Sequence, residues 1–107
     1  MKRIGFTFKV KQEKLAEYKA HHQAVWPEML EALRRTGWHN YSIFACKDGV
    51  LFGYFEADES LQTSQAAMAK EPINLKWQKF MEPYFEELGG SRVDETMVEL
   101  EQYFHLD

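Results

Sequence analysis

Tyr18 and His22 stand four residues apart in a stretch whose apolar positions recur at a helical period, so their polar ends meet on one side of a helix. An imidazole has an ordinary pKa of about 6.5 and can give or take a proton near neutral pH. A phenol beside it can bind or polarise the same group. His21 points roughly a quarter-turn away, so only His22 can work closely with Tyr18. Spacing alone leaves this pair as either a hydrogen-bonded core edge or a proton-transfer site. His39 and Tyr41 alternate in phase on a strand-like run, which aims both at one face. Trp77 lies at helical spacing with Ile73, Phe80, Met81 and Tyr84, as suited to a core as to a binding wall. Zinc on a helix takes histidines at i and i+4 with a further ligand elsewhere, and neither His21 nor His22 has such a partner, so no metal is expected.

These side chains need elements to hold them. Residues 3–10 alternate Ile4, Phe6, Phe8 and Val10 against Gly5, Thr7 and Lys9, the pattern of a half-buried strand. Gly5 leaves room on the face opposite the Phe row. From Lys14 the period turns helical through Leu15, Tyr18, His22 and Trp26. Pro27 predicts a break at Trp26 and a new helix that stops at Gly37. A strand follows over residues 38–46, Asp48-Gly49 forms a hairpin turn, and a third strand covers residues 50–57. Asp58 or Ser60 caps a helix from near Leu61, and Pro72 starts another that carries Trp77 through Tyr84 and ends at Gly89-Gly90. Residues 96–106 alternate again as a final strand.

The order strand, helix, strand, strand, helix, strand predicts an α+β fold, a ferredoxin-like antiparallel sheet with helices on one face. The other face is too apolar to stay wet. A symmetric homodimer of the dimeric α+β barrel type, packed sheet on sheet, is the economical cover, and the long terminal strand is a candidate to reach across.

The 107 residues suffice for one domain, residues 1–107. A net charge of -4 with scattered Lys and Arg argues against a nucleic-acid partner. There is no apolar run of membrane-spanning length and no signal-peptide core, so no membrane partner and a cytoplasmic location are expected. The single cysteine, Cys46, fits a reducing compartment and reads as a small buried hydrophobe beside a hairpin rather than a nucleophile. Aromatic residues reach 15%, enough to fill a core or to build the flat apolar walls on which sugar rings stack.

Several segments together resemble the L-rhamnose mutarotase family: Glu17-Tyr18, His22 with Val25-Trp26-Pro27-Glu28, Gly37 with His39-Asn40-Tyr41, Leu51-Phe52 with Glu56, Trp77 leading into Lys79-Phe80-Met81, and the closing run from Glu101 to Asp107. The resemblance covers almost the whole chain. It implies a dimer of ferredoxin-like subunits and a cofactor-free isomerase that interconverts the pyranose anomers of L-rhamnose. It also implies that His22 is the proton donor and that Tyr18, Tyr41 and Trp77 line the sugar pocket. Some members carry a second Trp directly after the position of Trp77. Here that residue is Gln78, which can meet a sugar through its amide but cannot stack. Two other readings remain: a cofactor-free dimeric α+β-barrel monooxygenase, whose pockets are also aromatic, and a non-catalytic sugar-binding module.

Overall fold

The computed structural model describes residues 1–85 and 96–107. Strand β1 (Lys2–Lys9) is central, pairing antiparallel with β3 (Val50–Ala57) on one side and with β4 (Val98–Leu100) on the other, while β2 (His39–Ala45) pairs antiparallel with β3. The sheet order is β2-β3-β1-β4, as the ferredoxin-like arrangement requires. Helices α1 (Leu15–His22) and α2 (Pro27–Arg35) follow β1, and α3 (Leu61–Ala69) and α4 (Pro72–Met81) follow β3.

Ile4, Phe6, Phe8 and Val10 are all buried, so the period-2 pattern of β1 does mark the core face. Across the ladder Phe6 pairs with Gly53, and a Cβ at Gly53 would sit 2.3 Å from the Phe6 ring. Only a glycine lets that ring lie flat against the neighbouring backbone. Trp38, just ahead of β2, stacks on Phe55 with ring centres 4.2 Å apart and closes the same layer.

Several elements differ from expectation. The space opposite the Phe row is filled: a Cβ on Gly5 would meet the Phe52 ring at 3.3 Å. Helix α1 ends at His22, not Trp26. The chain turns at Gln23 and Trp26 packs edge-on against Trp77 at 4.9 Å, a contact a continuous helix would swing away. The Trp26 carbonyl then accepts from the Met29 and Leu30 amides and starts α2. Ser60, rather than Asp58, caps α3, its hydroxyl accepting from the Thr63 amide at 3.0 Å. Helix α4 stops at Met81 and tightens into a 3-10 turn over Glu82–Tyr84, because Pro83 has no amide hydrogen to continue the ladder. The expected stop at Gly89-Gly90 lies outside the described residues.

Cys46 is exposed, correcting the buried reading, because β2 ends at Ala45 and Cys46 lies in the exposed hairpin turn beyond it. The last strand is three residues, and residues 101–107 carry no regular structure. On the sheet face away from the helices Phe44 and Phe52 are exposed register partners, and Val98 and Leu100 are exposed as well. Among the described residues no helix is long and apolar enough to cross a membrane.

Candidate active site

Helices α1, α2 and α4 and the inner face of β2 surround a cavity of about 330 Å³, at the small end of the roughly 300–1,000 Å³ range of small-molecule sites. All five residues singled out in the sequence line it: Tyr18 and His22 from α1, Tyr41 from β2, Trp77 and Gln78 from α4. Four of the five methionines, 29, 68, 81 and 97, supply much of the remaining wall, and their unbranched side chains adapt to irregular ligand surfaces.

The His22 ring lies between two aromatic rings. It stacks on Tyr18 with centres 4.1 Å apart and 25° between planes, and meets Trp77 edge-on at 5.5 Å. Its Nδ1 is 2.9 Å from the backbone carbonyl of Tyr18. A carbonyl only accepts, so Nδ1 carries the hydrogen, and Nε2 is the nitrogen left for a ligand. Burial pushes the His22 pKa below its ordinary 6.5, with nearby His21 adding in the same direction and the bond to the Tyr18 carbonyl opposing. The ring is therefore neutral at pH 7, with a lone pair on Nε2. Burial lifts the phenols of Tyr18 and Tyr41 well above their ordinary 10.0, so both remain O–H donors throughout the working range.

Two lining residues escaped the sequence reading. Asn74 is 1% exposed, and Trp38 is also buried. Asn74 accepts from Gln78 Nε2 at 3.1 Å, which leaves Asn74 Nδ2 and Gln78 Oε1 shielded from water and without a partner among the described residues, and Trp38 Nε1 shares that state. Each such group costs about 1–3 kcal/mol, and three around one cavity mark it as built for a polar guest. The signal was present: Asn74 precedes Trp77 by three and Gln78 by four, on the same helix face, but the apolar stripe obscured it.

The other histidines lie elsewhere. His21 packs against Phe80 and Tyr84, His105 bonds Asp107, and His39 bonds Asp58 Oδ1 at 3.1 Å. The shared face expected for His39 and Tyr41 is not formed, because a bulge intervenes between them. Trp26 braces Trp77 and Phe80 from behind and does not line the cavity. Among the described residues no three His, Cys, Asp or Glu side chains gather as a metal site would require.

A sequence profile described as L-rhamnose mutarotase matches residues 3–106. The chain is 41% identical to the L-rhamnose mutarotase of Oceanobacillus iheyensis and 36% identical to that of Bacillus subtilis, each alignment covering 100% of both chains. It superposes on the crystal structure of an L-rhamnose mutarotase from Formosa agariphila with a TM-score of 0.80 at 27% identity, again over 100% of both chains.

Proposed function

Because the chain belongs to the L-rhamnose mutarotase family, we propose that it is a single-domain isomerase that interconverts the α and β pyranose anomers of L-rhamnose by ring opening and reclosure. The observation that carries the chemistry is the His22 imidazole, with Nδ1 held by the Tyr18 carbonyl and Nε2 left available in an aromatic-walled cavity.

Ring opening removes a proton from the anomeric hydroxyl as another reaches the ring oxygen, breaking the C1–O5 bond and leaving an aldehyde. His22 Nε2 takes the first proton, and a phenol or a water supplies the second. After rotation about C1–C2 the freed hydroxyl adds to the other face of the aldehyde, its proton returning to the phenolate or hydroxide that supplied it, while the imidazolium returns its proton to the C1 oxygen. His22 is thus acceptor on opening and donor on closing, and the donor role expected of it belongs to the second half. No bond to the protein forms. Trp77 covers the apolar face of the ring, Tyr18 and Tyr41 bind hydroxyls, and Gln78 offers its amide to another. General acid-base help supplies about 10²–10⁴ in rate, enough for a reaction that already proceeds in water.

The test is anomer exchange of L-rhamnose by saturation-transfer NMR. His22→Ala is expected to fold and bind the sugar while losing about 10²–10⁴ of the enzymatic rate. Full exchange in that variant would remove His22 from the mechanism. None of the relatives named above is an oxygenase, and none is described as a binding module.

We further propose a cytoplasmic homodimer whose interface is the apolar open face around Phe44 and Phe52. Sedimentation of Phe44→Glu is expected to give a particle of half the mass; an unchanged mass would place the interface elsewhere.

A further inference from the structure

Trp38 and Tyr41 are three residues apart, an odd spacing that in a regular strand puts side chains on opposite faces. Both nevertheless pack on the helix side of the sheet. Their rings are 5.2 Å apart, and each lies against Phe55, at 4.2 Å and 6.0 Å. The cause is a break in register: His39 pairs with Glu56 while Ser42 pairs with Tyr54, so β2 uses three steps where β3 uses two. One extra residue in a strand flips the phase of everything before it.

Asn40 sits at that break with φ +49, the left-handed region that Asn enters more readily than other residues with a Cβ. Its side chain is anchored on the open face. Asn40 Nδ2 donates to Glu56 Oε2 at 3.2 Å, and Tyr54 donates its hydroxyl to the same oxygen at 2.9 Å. Those two bonds hold the Glu56 carboxyl below its ordinary pKa of 4.5, so it is a charged acceptor at neutral pH.

We infer that Asn40, outside the cavity, is a positioning residue for the sugar site: its bend brings Trp38 onto the cavity side and so fixes the ring of Tyr41. The inference rests on the reading of Tyr41 as a sugar-binding hydroxyl. Tyr41 touches Trp38, Phe55 and Phe6, and only the Trp38 contact depends on the phase flip. With the bulge regularised, Trp38 would turn to the open face and Tyr41 would lose one of its three ring neighbours.

The test is a double-mutant cycle on L-rhamnose exchange. Tyr41→Phe is expected to raise KM about tenfold, the effect of one lost hydrogen bond of about 1.4 kcal/mol. Asn40→Ala, which disfavours the left-handed bend, is expected to raise KM by a similar factor in the wild-type background and by less than twofold in Tyr41→Phe. Asn40→Gly, which accepts the bend, is expected to return KM to near the wild-type value. If Tyr41→Phe leaves KM unchanged, the sugar-binding reading of Tyr41 fails and takes the inference with it. If Tyr41→Phe raises KM while the two effects simply multiply, or Gly does not rescue, the positioning role alone is overturned. Should Asn40→Ala not fold, Asn40→Ser, which also disfavours the left-handed bend, takes its place in the cycle: a gain in KM that shrinks below twofold in Tyr41→Phe supports the role, and one that is absent or persists undiminished overturns it.

Discussion

The imidazole of His22 lies nearly flat on the phenol of Tyr18, ring centres 4.1 Å apart, while its Nδ1 hydrogen-bonds the backbone carbonyl of that same residue at 2.9 Å. One residue therefore fixes both the plane of the ring and its tautomer. Nothing in the side chain of Tyr18 is spent on the hydrogen bond, so its hydroxyl stays free of that duty.

The pH profile follows from that arrangement. The working form of His22 is neutral and its pKa in the folded protein is below 6.5, so activity is expected to be flat through pH 7 and to fall only as the pH drops below about 6.5. Between the folded and unfolded pKa values the unfolded chain binds more protons, so the His22 contribution to stability is complete above the unfolded value and is lost as pH falls toward the folded one. Exchange rates and melting temperatures between pH 4 and 8 check both. An acid limb centred above 6.5 would contradict the neutral, buried ring.

Removing the amide pair separates stability from binding. Asn74→Leu with Gln78→Leu deletes two unpartnered buried atoms, each costing about 1–3 kcal/mol, and is expected to raise the melting temperature of the protein alone. The same variant should lose most of the melting shift caused by L-rhamnose. Melts with and without the sugar measure both effects, and an unaltered sugar-induced shift would show that the amides serve packing only.

Gly53→Ala tests the close approach under Phe6. The added methyl would overlap the ring, and relief by moving core aromatics costs about 1–3 kcal/mol in stability. Urea unfolding reads this directly, and a midpoint equal to wild type would mean that the ring shifts freely.

The core strands were legible because alternation is a local rule, whereas the site residues were singled out by the family resemblance, since their spacing suits a core equally well. Alternation in β1 marks the core face, and the four-residue spacing of Tyr18 with His22 puts that pair on one helix face. Other features depend on contacts made elsewhere in the chain. The left-handed Asn40 leaves no trace in a period-2 pattern, so the phase of His39 was misread. The early end of α1 reflects the packing of Trp26 on Trp77, a residue of another helix. The alternation over residues 96–106 reports which side chains seek cover, and only Val98–Leu100 finds a strand within the same chain.

Trp77 also ties the first helix to a part of the chain that is made much later. His22 lies on the first helix and the ring that walls it on the fourth, so a growing chain holds the histidine without that wall until α4 has left the ribosome and folded back. A fragment ending before that helix would lack the edge-on ring that flanks the imidazole in the folded chain.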